Sequence, residues 1–512
     1  LKLSTSDWYP FPSRPMEISL NHSSNTLRRF LTALFAIPGT AILAFAAQAT
    51  TIQVPGDAPT IQAGVDLAAF GDTVEVACGT YTAGAILKDG IVVRSETGLP
   101  DCVSIRINGN LTAFRCVDAF LGIKLEGIRM IGESGFNRGL FCRHSTATIT
   151  NCDVQGFART TDEGNGDGAG MRIEAGSSVL LDHCEIADTF SDMGAGIHCL
   201  ASSLSMEDCE VQRNVAYLEG GGIQTSASVL DIRNTLFEEN SSPYTAGHGS
   251  VHGGGISASA GSMVTIIEST FLGNSAGYFA GAICSTEGTL SVADCIFENN
   301  STGISSAGAI LMSDGVVERS VFRSNAAGWN GGAVQIASSG APILRECLFE
   351  GNIGHFGGAA AVSIAAGNVV IESCTLVKNY GEGAGGSTID LSNSATLELR
   401  NSIVAFSTSG AAVSCMGASA ISSTCSDIYG NFGGDWVSCV AGQESFNGNI
   451  SADPYFCDTT NGEYTLQANS PCAPPQSGAC GLIGVFGVGC NAVSVNPPVN
   501  LTSWGAIKAL YR

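Results

Sequence analysis

Residues 290–300 read LSVADCIFENN, and the spacing of their inward positions decides the fold. Leu290 and Val292 alternate with the period of a strand. Ala293-Asp294 then turns a corner, because the next inward residue, Cys295, comes three positions on rather than two. Phe297 faces inward again, and Asn300 closes the strand. The same spacing recurs at Leu204, Met206, Cys209, Val211 and at Val369, Ile371, Cys374, Leu376. A Gly-rich turn and a further strand, as in Gly331-Gly332-Ala333-Val334, complete one circuit.

This unit recurs along residues 147–404. Its small residue falls at Cys152, Cys184, Cys209, Thr235, Ser269, Cys295, Ser320, Cys347, Cys374 and Ser402. An Asn follows five positions later at Asn214, Asn240, Asn274, Asn300, Asn325, Asn352 and Asn379, in steps of 26, 34, 26, 25, 27 and 27. Such a period means stacked supersecondary units. It predicts an all-β, right-handed parallel β-helix over residues 50–450, with three strands per coil and about 14–15 coils, each about 4.8 Å from the next. Each inward position then becomes a ladder of like residues, among them Phe237, Phe271, Phe297, Phe322 and Phe349. The Asn column suits a corner, because Asn tolerates left-handed backbone angles and its amide can bond the coils on either side. The Cys/Ser/Thr column needs a small side chain beside a bend. Parallel Cβ vectors would leave its Cβ atoms too far apart for bridges, so its thiols are expected buried and reduced.

Sixty-five Gly and only 13% charged residues leave Ser, Thr, Asn and Gly to carry solubility. Net charge is −23, and residues 1–49, with four basic and two acidic side chains, leave −25 for the remainder. An acidic surface repels phosphate backbones, which argues against nucleic acid as a partner. Arg28-Arg29, the apolar run from Phe30 to Ala47 and Ala47-Gln48-Ala49 read as an export signal, with a mature start near Thr50. No integral span is expected after it. Nineteen Cys in an exported chain suggest disulfides. The seven between Cys415 and Cys490 are the expected bridged group, with Cys472–Cys480 as the leading pair. Residues 57–69 read as an amphipathic helix whose apolar face is Ile61, Val65, Ala68 and Ala69, plugging the N-terminal mouth. Residues 451–490 are expected to form a disulfide-rich C-terminal cap, and 491–512 a tail.

Residues 51–82, TIQVPGDAPTIQAGVDLAAFGDTVEVACGTYT, resemble the N-terminal cap and first coil of the pectin-lyase-like β-helix superfamily. The central repeats resemble those of chlamydial polymorphic outer membrane proteins. Their FxxN motif stands here at Phe237–Asn240, Phe271–Asn274, Phe297–Asn300, Phe322–Asn325 and Phe349–Asn352. Their Gly motif stands as GGGI (220–223, 253–256), AGAI (280–283, 307–310) and GGAV (331–334). The resemblance implies an exported, surface-associated β-helix, in that family often an adhesin. The 22 residues after Cys490 carry no counterpart of that family's C-terminal barrel.

Candidate sites are few. Gly247-His248-Gly249 matches a turn of pectin hydrolases, but the carboxylate motifs that accompany it there are absent, so no catalytic residue is assigned. Asp162, Glu163 and Asp167 cluster in DEGNGDG (162–168) and read either as a solvated acidic loop or as a Ca²⁺ site; no other cofactor is expected. Tyr217, Tyr244, Tyr278, Trp329 and Phe356 recur between the Asn and the Gly pair. Stacked along one edge, these rings would either platform sugar faces or shield the bare Gly turns. The reading is a non-enzymatic exported β-helix, extracellular or at the cell surface, that binds glycans or partner surfaces. The alternative is a polysaccharide lyase, hydrolase or epimerase of the same superfamily, which would need a groove where a basic residue meets at least two carboxylates.

Overall fold

The computed structural model describes residues 49–159, 166–243, 252–337, 340–383 and 386–491. The expected export signal, Asp162, Glu163, Tyr244, Gly247-His248-Gly249 and the tail at 501–512 lie outside the described residues. From Thr51 onward the chain winds as a parallel β-helix. Its first sheet has 15 strands, from Thr51–Val54 to Ala420–Thr424; its second has 14, from Gly79–Tyr81 to Asp427–Tyr429; its third has 13, from Ala85–Leu87 to Ala411–Cys415. Every pairing in these three sheets joins one coil to the next in parallel. A fourth sheet of nine short strands, from Ala158–Arg159 to Tyr380–Gly381, occupies the corner between the second and third sheets. The sequence reading folds that strand into the turn, because seven of the nine are only two residues long and carry no period of their own.

The interior is sorted into columns. Phe237, Phe271, Phe297, Phe322 and Phe349 are fully buried and stack face to face, with successive centroids 4.6, 4.9, 4.8 and 4.8 Å apart and planes within 9°. Strand spacing imposes that distance, so the rings adopt a stack that isolated aromatic pairs would offset.

The Cys/Ser/Thr column is hydrogen-bonded as well as small. Ser320 Oγ donates to Glu318 O (2.8 Å) and accepts from the Cys295 N–H (3.1 Å). Cys347 Sγ donates to Arg345 O (3.2 Å), while its own N–H meets Cys374 Sγ at 3.5 Å. The slot therefore selects a side chain with a short X–H group, which Ala lacks. Ser145, Ser177, Ser202, Ser228 and Ser262 form a comparable ladder before the first sheet, each backbone N–H donating to the next hydroxyl.

The left-handed backbone position differs from the expected one. It falls on the residue before each ladder member: Arg213, Glu239, Asn299, Ser324 and Lys378 before Asn, and His183, Asp208, Asp294 and Glu346 before Cys. Reversing the chain one step earlier leaves the Asn and Cys side chains free to point inward.

Helix Ile61–Leu67 starts later than expected, capped by Thr60, whose hydroxyl accepts from the Ala63 N–H (3.1 Å). It buries Ile61, Gly64 and Val65, whereas Ala69 is exposed.

At the C-terminal end, Cys415–Cys439 holds the turn Ser438–Val440 against the last coil, and Val440 is fully buried there. Residues 452–490 do something else: they run back along the outer face of the second sheet. Phe456, Tyr464, Leu466, Ile483 and Phe486 pack on Ile296, Val321, Leu348, Val377 and Ile403. These five are apolar and point away from the interior, so the flank needs a cover.

The disulfides are Cys78–Cys102, Cys415–Cys439, Cys425–Cys480 and Cys457–Cys490. The Cys472–Cys480 pairing is thus corrected. Cys480 leaves with its turn to reach Cys425 on the last coil. Cys472 points into the flank instead, a buried free thiol donating to Asp427 Oδ2 at 3.2 Å. Cys78–Cys102 joins two early coils, outside the cluster singled out by density of Cys. Among the described residues no helix is long and apolar enough to cross a membrane.

Candidate functional site

The corner after the second sheet is built on the Asn ladder. Each Asn of the run from Asn214 to Asn379 is buried. Asn300 Oδ1 accepts from the N–H and the Nδ2 of Asn274, both at 3.0 Å. Its Nδ2 donates to Phe271 O (2.9 Å) and to Asn325 Oδ1 (3.0 Å). Every polar valence of the amide is thereby used, so the corner is rigid and repeats from coil to coil. Thr189 starts the run by donating to Asn214 Oδ1 (2.6 Å), and Asn431 resumes it after a gap by accepting from the Ser407 N–H (3.1 Å). The sequence pattern misses both, since one is not Asn and the other lies past the repeat.

A rigid corner places the fourth residue after each Asn at one recurring station on the outside. The expected aromatic row divides there. Tyr217, one residue short of that station, is half-buried with its ring edge-on to Phe190 (centroids 4.7 Å), and Tyr278, which holds it, is half-buried edge-on to Phe279 (4.7 Å). Trp329 and Phe356 stand out, 55% and 79% exposed, on consecutive coils. Ile304, 53% exposed, holds the same station one coil earlier; a search for aromatic rings overlooks it. The turns that follow have no room for side chains: a Cβ on Gly332 would overlap the carbonyls of Ala360 and Ile353. One coil beyond Phe356 comes Glu382, whose Oε2 lies 2.9 Å from His355 Nδ1 and 3.4 Å from the Phe356 N–H. The His355 contact, then the amide, hold this carboxyl below its usual range.

A second cluster lies on the outer face of the third sheet, where Arg172 and His198 are register partners. Arg172 binds Glu174 through Nε (2.7 Å) and Asp167 through Nη1 (3.3 Å). His198 Nδ1 lies 3.6 Å from Asp167 Oδ2 and has no hydrogen-bond partner among the described residues. Arg138 donates to the carbonyls of Gly168 (2.8 Å) and Asp167 (2.7 Å). Burial, reinforced by Arg172 and Arg138, pulls His198 down to about 3; burial and two neighbouring guanidinium groups pull Arg138 down to about 9. Burial raises Asp167. A basic residue and two carboxylates do converge here, which sequence reading misses because Arg138, Arg172 and His198 belong to separate coils. Both guanidinium groups are engaged in these bonds, and the imidazole stays neutral.

Asp167 is the one expected calcium ligand among the described residues, and it faces these cationic groups. Asp182, His183 and Asp208 bring ligand atoms within 4.8 Å of one another on an outer corner. There Asp182 Oδ1 sits 2.6 Å from His183 Nδ1 and raises its affinity for a proton. The other such group, Cys78, Glu96 and Cys102, has both thiols in a disulfide.

Three parallel sheets wound coil on coil, with stacked interior ladders, define a single-chain β-helix. The chain matches the family described as right handed beta helix region over residues 126–308 and 255–450, and it belongs to that family. No curated protein matches the sequence. Among solved structures it is similar to the crystal structure of pectate lyase Pel9A, at 13% identity over 86% of this chain and 96% of that one, with a TM-score of 0.29.

Proposed function

We propose that this chain is a non-catalytic, exported β-helix that binds extended glycans along the ridge formed by Ile304, Trp329 and Phe356. The observation that carries this reading is the exposure of Trp329 and Phe356 at one repeat station on adjacent coils. Flat apolar rings at coil spacing, about 4.8 Å per step, suit the apolar faces of successive sugar rings. A rigid corner holds them, so little side-chain order is lost on binding. Four disulfides support an oxidising, exported setting. A glycan array of the full chain against Trp329→Ala tests the reading. Binding that drops in the variant supports it, and unchanged binding removes the ridge.

A second reading, a polysaccharide-cleaving enzyme, draws on Arg172 between Asp167 and Glu174 beside His198. Against it stands the engagement of Arg172 with both carboxylates, and the burial beside two guanidinium groups that makes the His198 imidazole a weak base. New reducing ends or unsaturated products from a polysaccharide panel, lost in Arg172→Ala, would favour it over the first.

A further inference from the structure

We propose that the ridge selects a cationic glycan, one built of sugars carrying free protonated amines; this rests on the glycan-binding reading above. The ridge ends on a carboxylate. Glu382 lies on the coil after Phe356, at the register of His355, and its Oε2 receives both His355 Nδ1 and the Phe356 amide, which fixes it at the end of the row. Its side chain remains 46% exposed, so the carboxylate is accessible to solvent and to a ligand. Aromatic faces next to a carboxylate are the chemistry that recognises an ammonium group. The ring quadrupole and the anion attract the same charge, and the ring also covers the apolar face that carries it.

The surroundings have the matching sign. The cation on the same coil, Lys378, is turned the other way: its ammonium donates to Thr459 O and lies 5.6 Å from the Tyr464 ring centroid. Tyr380, 39% exposed and paired with Ile353 in the corner sheet, adds a further ring on that coil. The whole chain carries −23, a field that draws in polycations and repels anionic polymers. A sugar polymer fits better than a basic peptide. Its rings are already rigid and present one face per step to the ladder, whereas a flexible peptide would lose backbone and side-chain freedom on docking.

The experiment is calorimetric titration of the full chain with β-1,4 oligomers of equal length made of glucosamine, N-acetylglucosamine or glucose, and with an oligolysine. It is run at low and at physiological salt, on wild type, Glu382→Gln and Trp329→Ala. The expected result is tightest binding of the glucosamine oligomer. That advantage falls on the order of fivefold in Glu382→Gln and shrinks with salt, as for an exposed ion pair. Trp329→Ala weakens every sugar. Equal binding of all three sugars with Glu382→Gln unaffected overturns the charge selection and leaves glycan binding standing. Binding of no sugar overturns both. Binding of oligolysine alone makes the ridge a peptide site and also overturns the proposal. Glu382 is a surface residue, and matching thermal unfolding of the variants excludes misfolding as the cause.

Discussion

The Tyr464 hydroxyl donates to Glu350 Oε1 at 2.7 Å across 114 residues of sequence. That bond measures how far back the C-terminal segment reaches: from the last coils to a strand of the second sheet that ends at Glu350. The segment is a flank cover, tied at Thr375 by the Val485 N–H (3.1 Å) and at Asn401 by Cys480 O (2.8 Å). Glu350 also receives Arg323 Nε at 2.9 Å, so removing the tyrosine hydroxyl leaves it paired. Tyr464→Phe is expected to lower stability by about 1.5–3 kcal/mol, the range for a bond to a charged acceptor. Urea unfolding checks it, and hydrogen exchange should show the loss in residues 452–490 before the coils.

Asp427 makes the stability of this region depend on pH. It is fully buried, and desolvation lifts its carboxyl to about 7, against the lowering influence of the Ala452 amide and the Cys472 thiol. Unfolded, it titrates near about 3.9. The folded chain therefore holds the proton more tightly. The stabilisation is fully present below the unfolded value and is lost as pH rises through about 7. Urea midpoints should fall between pH 5 and pH 8 in wild type, and less steeply in Asp427→Asn. An equal slope in the variant would move the effect to other groups.

Asn300→Ala removes an amide that serves four bonds, exposing unmet groups on Asn274, Phe271 and Asn325 inside the corner. The expected cost is about 2–4 kcal/mol, set by buried groups left without partners. Asn461→Ala serves as the exposed control and should cost little; denaturant titration compares them.

Eleven cysteines are free, and all are buried. Burial pushes Cys152 and Cys295 up to about 12, so their nucleophilic thiolate form is scarce at neutral pH. Mass spectrometry after alkylation should find these thiols unmodified in the native chain and all eleven modified after denaturation. Cys295→Ser should cost within about 1 kcal/mol, because Ser320 and Ser402 fill the same slot with the same bonds.

The ladder residues were legible because each coil repeats the same contacts, so one physical demand is written many times. Cys295, Phe297 and Asn300 could be placed inside from the spacing of a single repeat, and the register between coils follows from it. The flank cover left a signal too: Ile296, Val321, Leu348 and Ile403 stand beside inward residues where alternation calls for polar side chains. What lies on such a face is not written in the repeat, since the partner is some hundred residues away and shares no period with it. The division of the aromatic row was equally out of reach. Tyr278 and Trp329 hold the same station, and only the neighbour, Phe279 in one case and solvent in the other, decides which ring is available.

Sequence alone determined the winding and the contents of the interior, because burial and corner geometry act on every coil within a few residues of chain. Tertiary structure decided the disulfide partners, the path of residues 452–490 and the meeting of Arg172 with Asp167 and His198. These depend on where separate coils and the returning segment come to rest in space, a long-range packing outcome that local pattern does not encode.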